Sequence, residues 1–298
     1  MKKILVVSDI YYETQYFVGQ IPKSNEFEIS TDITNTIGSK TLNAARVLKT
    51  HGDDANLWGK VGYDGKDAID GIKEYGISVN NIETMFSAKT GQIVVQTDDT
   101  GQCSITLYFG ANHEIYPNDF EKLEETINDF DFVYAATNLP LESLYRLVEI
   151  CNKNGVGMLV DFPNQQKLVQ LDRLFTVDFI FPNRQESELL LDCKILTISD
   201  AIKALNGIKK YCGGNIIISL DKDGCVFLSK NSEVPVHVKT RIVDVIDATA
   251  SGDILRAAFI SSYLGNLDIE RSLKYAVELA TQSVKLKGVD YTLRNLSL

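Results

Sequence analysis

The chain has few of the residues from which disulfide scaffolds, metal clusters and membrane anchors are built. Its five cysteines (Cys103, Cys151, Cys193, Cys212 and Cys225) are odd in number, scattered, and never spaced as Cys-x-x-Cys. That spacing suggests neither a disulfide framework nor a zinc site, and the cysteines read as small buried hydrophobes. Long apolar runs are missing too. Ile4 to Val7 follows Lys2 and Lys3 but ends at Ser8-Asp9, too short for a signal-peptide core or a membrane span. A cytoplasmic protein with no membrane partner is expected. Positive charge is in deficit, with 30 Lys and Arg against 40 Asp and Glu and a net charge of −10. This argues against a nucleic-acid backbone as partner, while leaving room for a local basic pocket. No linker, internal repeat or low-complexity tract interrupts the 298 residues, and at 44% hydrophobic they can bury a sizeable core.

What is present is an alternation of β-type and helical patterns. Ile4 to Val7, Asn43 to Leu48, Ala55 to Trp58 and Ala68 to Tyr75 read in βαβα order. The pattern resumes with Phe132 to Ala135, Leu141 to Cys151, Gly157 to Val160, Phe179 to Phe181, Ala201 to Tyr211 and the β-branched Ile216-Ile217-Ile218. Such order predicts an α/β fold, a central mainly parallel sheet with helices on both faces. Two stretches break it. Val18 to Ile37 is rich in β-formers and polar turns, and Gln92 to Tyr108 carries two alternating runs around Asp98-Asp99-Thr100-Gly101, a hairpin signal. Together they predict a small β-sheet lid, formed by segments of about 11–37 and 88–110, on one domain spanning 1–298.

The stretch Asp247-Ala248-Thr249-Ala250-Ser251-Gly252-Asp253 puts small residues and a carboxylate where an amphipathic helix begins, with Ile254, Leu255, Ala258, Phe259 and Ser262 as its apolar face. The first N–H groups of a helix lack internal partners and lie at the positive end of its dipole, so a transferring phosphate can sit on them. Asp253 then stands where a general base for phosphoryl transfer belongs. An ordinary first-turn acid is the bland alternative, with Asp247 or Thr249 as a plain N-cap.

The rest of the chain favours the functional reading. Asp247 to Asp253 resembles Asp-Thr-x-Gly-Ala-Gly-Asp, the second signature of the PfkB carbohydrate kinase family, whose fold is ribokinase-like. Asn183-Arg184-Gln185-Glu186 is similar to that family's Asn-x-x-Glu motif, and Gly38-Ser39-Lys40-Thr41-Leu42-Asn43 to its first signature, Gly-Gly-Lys-Gly-x-Asn. Fainter echoes lie at Gly59 to Asp64, Thr90-Gly91, Gly110-Ala111-Asn112 and Ser219 to Gly224, all in family order over nearly the whole chain.

The resemblance implies an ATP-dependent sugar kinase. Asp253 would be the catalytic base, and the amides of Ala250, Ser251 and Gly252 would form the anion hole for the γ-phosphoryl group. Asn183 and Glu186 would position Mg²⁺ through its waters, although a strand-end Asn and a surface Glu are the plainer reading of that pair. Ser219 and Gly224 would contact ATP, with Asp221 where the family often has Gly. The helix Ser272 to Lys287 would wall the base, or its Leu279 and Val284 would be plain core. Asp247 and Thr249 would offer carbonyl oxygens to a monovalent cation, K⁺ in many relatives. Gly38, Ser39, Lys40 and Asn43 would frame the substrate, with Ser39 and Thr41 narrowing the pocket where relatives carry Gly. Two registers are open for the acid that grips sugar hydroxyls, Glu13 and Asp9, with Glu13 preferred.

Three function classes follow: a kinase of a small sugar, a nucleoside or pseudouridine-type kinase suggested by Tyr11 and Tyr12 beside Glu13, and a sensing module that kept the fold without turnover. A homodimer through the lids is expected, because Ile93, Val95, Ile105 and Leu107 would otherwise expose an apolar face.

Overall fold

The computed structural model describes residues 1–136, 139–162, 171–288, 292–293 and 295. In chain order the elements are β1 (Lys3–Val7), β2 (Tyr11–Phe17), β3 (Asp32–Gly38), α1 (Lys40–Thr50), β4 (Asp54–Gly62), α2 (Lys66–Glu74), β5 (Ser78–Met85), β6 (Gly91–Thr97), β7 (Cys103–Tyr108) and α3 (Glu121–Thr126). There follow β8 (Phe132–Ala136), α4 (Leu141–Asn154), β9 (Gly157–Asp161), β10 (Phe179–Ile180), α5 (Arg184–Leu191), α6 (Ile198–Lys209), β11 (Asn215–Ser219), β12 (Cys225–Leu228), β13 (Val236–Val238), α7 (Ser251–Leu264) and α8 (Ile269–Ser283).

Among the described residues a nine-stranded sheet runs in the order β13-β12-β11-β10-β9-β8-β1-β4-β5. Its strands pair parallel from β11 to β5, and only β12 and β13 add antiparallel. Successive side chains of a strand point to opposite faces. Accordingly Leu5 and Val7 join the apolar layer that includes Leu144 of α4 and Leu205 of α6, while Ile4 and Val6 join the layer that includes Leu42 of α1, Phe259 of α7 and Leu273 of α8. Both faces are covered, as a parallel sheet requires. The chain winds outward from β1 to β5 and returns to β8 on the other side of β1, so the order reverses between β1 and β8. Ligands of such sheets bind outside the carboxyl ends of the strands near that reversal.

The second sheet, β3-β2-β6-β7, is the lid. Its strands lie at 11–17 and 32–38 rather than evenly through Val18 to Ile37, because Gly19, Pro22 and the left-handed Asn25 (φ 66°) break the extended pattern between them. The hairpin at Asp98 forms as predicted, with the Asp98 carboxylate accepting from the Thr100 and Gln102 amides. Two side chains pin the lid to the body. Asn112 exchanges a pair of 2.9 Å hydrogen bonds with the backbone of Ile10, and Asp64 accepts from both the amide (2.7 Å) and the hydroxyl (2.8 Å) of Thr90. The echoes at Asp64, Thr90 and Asn112 are thus anchor points of the lid.

Periodicity predicts an amphipathic helix after Asp253, yet α7 is buried without a break from Asp253 to Ile260 because it packs between α1 and α8. Beneath it Phe259 meets Phe179 and Phe181 edge to face, with centroids 5.1 and 5.9 Å apart. Such pairs contribute about 0.5–1.5 kcal/mol each beyond area burial, and they seat the middle of α7 on β10 and the residue just after it. Leu279 of α8 is core, packed in the same apolar layer.

Candidate active site

The helices α1, α5 and α7, which carry the three motifs, each have a differently built start. α1 is capped by the Ser39 side chain, which accepts from the Leu42 amide at 2.9 Å. α5 opens with a reciprocal capping box: Asn183 Oδ1 accepts from the Glu186 amide at 2.8 Å, and Glu186 Oε2 accepts from the Asn183 amide at 2.6 Å. α7 has no side-chain cap. Its first residue outside the helix, Ala250, sits in the left-handed region at φ 61°, where a Cβ costs roughly 1–2 kcal/mol. The Ala-for-Gly exchange at this position, read from sequence as mild, therefore carries backbone strain.

The segment before α7 is tied down from behind. The Asp247 carboxylate accepts from the Thr249 and Gly288 amides, both at 2.9 Å, and the Ile246 and Asp247 amides donate to the Val284 carbonyl at 2.8 and 3.1 Å. Burial acts the other way, but these bonds hold the Asp247 carboxyl below its ordinary range. Of the amides expected in the anion hole, that of Ser251 donates to the Ala248 carbonyl at 3.2 Å, and the Ser251 hydroxyl donates to the same oxygen at 2.8 Å. Among the described residues the Ala250 and Gly252 amides have no such backbone acceptor.

Asp253, in the first turn of α7, is 6% exposed. Its Oδ2 accepts from Nδ2 of Asn43 at 3.0 Å, so two signatures separated by 210 positions meet through one hydrogen bond. Burial pushes the Asp253 carboxyl up to about 7, against the pull of the Asn43 hydrogen bond and the charges of Arg256 and Lys40, with Asp161 adding to the rise. A carboxyl poised there suits proton abstraction at neutral pH. Lys40 is partly exposed and reaches Glu186 Oε1 at 3.4 Å.

Glu186 is not a surface residue; it is 1% exposed. Burial and the nearby Asp161 raise its pKa, while Arg256 and Lys40 oppose them. Oε2 is occupied by the Asn183 amide and lies 3.7 Å from Arg256. Among the described residues no group of three or more His, Cys, Asp or Glu could hold a metal ion. A carboxylate flanked by two cations fits poorly as a direct metal ligand. Its Lys40-facing oxygen fits a water of an Mg²⁺ ion that arrives on phosphates and keeps part of its hydration shell.

The residues expected on the nucleotide side lie near one another in part. Asn183 and Ser219 form a parallel bridge at the ends of adjacent strands. Gly224 has φ +83°, and a Cβ there would lie 2.1 Å from the Val238 carbonyl oxygen, so only glycine fits this turn. Asp221 also has positive φ (52°), which accounts for the glycine expected at that position. Its side chain is 82% exposed and 3.8 Å from Arg184.

Of the residues expected to frame the substrate, Glu13 and Gly38 are brought together: a Cβ built on Gly38 would lie 3.1 Å from Glu13 Oε2. Burial raises the Glu13 pKa. Asp9 is buried beside Tyr11 at the end of β1, where desolvation first and Asp9 second push the Tyr11 hydroxyl far above its usual range. Ser39 and Thr41, expected to narrow the pocket, turn their hydroxyls to Ser8. Their hydroxyls and that of Ser8 form a buried trio with contacts of 3.0, 2.6 and 3.2 Å, filling space that glycines would leave open. Tyr11 packs on Gly91, and the Tyr12 hydroxyl donates to the Asp64 carbonyl at 2.8 Å while accepting from the Ala68 amide at 3.2 Å. Both tyrosines thus make contacts within the fold.

Three residues escaped the sequence reading. Asp161, at the end of β9, is 2.8 Å from the Arg256 guanidinium and accepts from the Tyr134 hydroxyl at 3.2 Å. The available signals were an Asp ending an apolar strand and an Arg inside an otherwise apolar helix. Cavities of about 200 Å³ (Phe175, Lys209, Leu228) and 240 Å³ (Arg46, Tyr75, Leu293) are lined by other residues.

Comparison with known proteins gives the family. The model of the pfkB family of carbohydrate kinases matches residues 1–295. A ribokinase of Staphylococcus aureus is 31% identical over 229 residues, 75% of this chain and 73% of the relative. A guanosine-inosine kinase of Exiguobacterium acetylicum is 23% identical over 291 residues, 95% of each chain. The structure of an Arabidopsis thaliana ribokinase complexed with ribose and ATP superposes with a TM-score of 0.86 at 21% identity, covering 100% of this chain and 99% of that one. No helix among the described residues is long and apolar enough to cross a membrane. With a family match over nearly every residue and an uncapped helix start beside a buried carboxylate, the chain belongs to the pfkB family of carbohydrate kinases and is an ATP-dependent phosphotransferase.

Proposed function

We propose that this kinase transfers the γ-phosphoryl group of ATP to a hydroxyl of a small sugar, with Asp253 as general base. The observation that carries the reading is a buried carboxyl raised to about 7 at an uncapped helix start, hydrogen-bonded to Asn43 of the substrate segment. The hydroxyl would take the place beside Asp253 Oδ2, lose its proton to it, and attack the phosphoryl group held by the Ala250 and Gly252 amides; Ser251 joins them by releasing the Ala248 carbonyl. Glu13, with Gly38, Lys40 and Asn43, would bind the other hydroxyls, while Ser39 acts on the site as the cap of α1. Asn183, Ser219 and Gly224 would line the nucleotide side. Asn183 and Glu186 would hold Mg²⁺ through water, and the ion would supply charge neutralisation on the phosphates. Asp247 and Thr249 would present carbonyls to K⁺.

Asp253→Asn should lower kcat by at least ~10² with nucleotide affinity largely intact, and wild-type turnover in that variant would overturn the assignment. Assayed against ribose, deoxyribose, guanosine and inosine, the wild type should turn over a free sugar fastest. Faster turnover of a nucleoside would favour the second reading, which the guanosine-inosine kinase relative keeps open. Absence of turnover on every acceptor would favour the sensing module.

Two copies are proposed to meet through their lids in the cytoplasm. Strand register places Ile93, Val95, Ile105 and Leu107 on the sheet face that carries Glu13, and Ile105 is 64% exposed. Sedimentation at micromolar concentration should give a dimer; a strict monomer would remove the proposal.

A further inference from the structure

Arg256 stands three residues beyond Asp253 on α7 and is 3% exposed. Helical side chains lean back toward the start of their helix, and this one reaches alongside the proposed anion hole: a Cβ built on Gly252 would lie 3.0 Å from Nη1. The guanidinium is held from two neighbouring strand ends. Nη2 is 2.8 Å from Asp161 Oδ1 and 3.7 Å from Glu186 Oε2, and Nε and Nη2 donate to the Phe181 carbonyl at 3.3 and 3.1 Å. It also lies 5.3 Å over the Phe181 ring.

The cell holds more acids than bases, and Arg256 is one of its two cations. Asp161 of β9, Glu186 of α5 and Asp253 of α7 are acidic, while Lys40 of α1 and Arg256 are basic. Two cations neutralise two carboxylates, and Asp253 is the odd one. Without Arg256, one cation would face three acids. Buried charges persist only when paired, and removing one partner leaves the others uncompensated.

We propose that Arg256 is a positioning residue for phosphoryl transfer: it clamps Asp161 and Glu186 against the start of α7 and supplies the positive charge that lets Asp253 accept a proton from the acceptor hydroxyl. The proposal rests on the reading of Asp253 as the base. The groups bearing on that carboxyl are Arg256 from its own helix, Asn43 and Lys40 from α1 and Asp161 from β9, with Glu186 and Tyr134 behind the guanidinium.

The test uses charge changes of opposite sign. The titration of the Asp253 carboxyl is followed by carbon NMR in nucleotide-free protein, its signal assigned by its loss in Asp253→Asn, beside the acid limb of kcat/KM. Arg256→Gln should move both upward by roughly one pH unit, a tenfold change in proton affinity. Asp161→Asn should move both downward, and Arg256→Lys should return them toward the wild-type position. A purely structural role would lower rates and melting temperatures without this reversal of sign. Should Arg256→Gln fail to fold, Asp161→Asn and Arg256→Lys still decide. Unchanged titrations, or shifts of one sign in both the Arg256 and Asp161 variants, would overturn the proposal. If turnover falls in Asp253→Asn but the titration ignores Arg256 and Asp161, only the clamp is wrong; if Asp253→Asn turns over normally, the base reading fails and takes the clamp with it.

Discussion

The starts of α1 and α7 lie on either side of one hydrogen bond, Asn43 to Asp253, yet they solve the same problem in opposite ways. At α1 the orphan Leu42 amide is met by the Ser39 side chain, and the surrounding space is filled by the hydroxyls of Ser8 and Thr41. At α7 no side chain caps the helix, and a strained Ala250 leads into it. A helix start that satisfies itself is architecture. One left unsatisfied, with its backbone held open at an energetic cost, is available to an anion. The distinction is invisible in composition, since both stretches are runs of small polar residues.

Closing the open start should give the largest effect. Ala250→Asp would put a carboxylate where the phosphoryl group is proposed to sit, and kcat should fall by about 10²–10³, the range for losing an oxyanion-hole donor, with an unchanged or higher melting temperature. An active Ala250→Asp enzyme would mean that phosphate binds elsewhere.

The buried base itself should weigh on stability. Its folded-state pKa, about 7, lies above the ordinary 3.8, so the folded protein binds that proton more tightly than the unfolded chain does. The favourable contribution is complete below the ordinary value and is lost as pH rises through about 7. Ionised Asp253 is therefore a burden at pH 8. Asp253→Asn should stabilise nucleotide-free protein there by about 2–4 kcal/mol, with a smaller gain at pH 5. Urea unfolding at both pH values measures it, and an equal change at both would show that Asp253 titrates normally.

The smallest effect tests the closed start. Ser39→Ala should cost about 1 kcal/mol as a lost N-cap, with little change in KM for the acceptor. A several-fold rise in acceptor KM at unchanged stability would return Ser39 to the substrate pocket.

The alternation of strands and helices and the hairpin at Asp98 were legible because they repeat with a local period that side-chain polarity records. Asp253 was legible because its motif is contiguous. Arg256 and Asp161 were not, since neither stands out until strand order brings residues 95 positions apart within 2.8 Å. The packing of Tyr11 and Tyr12 was not legible for the same reason: aromatic character is local, but what an aromatic ring packs against is not.

The order of residues alone determined the α/β plan, the lid and the candidate base, because each depends on neighbours within a turn or a strand. Tertiary structure alone decided which helix start stays open, which hydroxyls fill space and which carboxylates share a buried guanidinium. Those outcomes depend on desolvation and charge pairing between distant segments, quantities that have no value until the chain has closed around them.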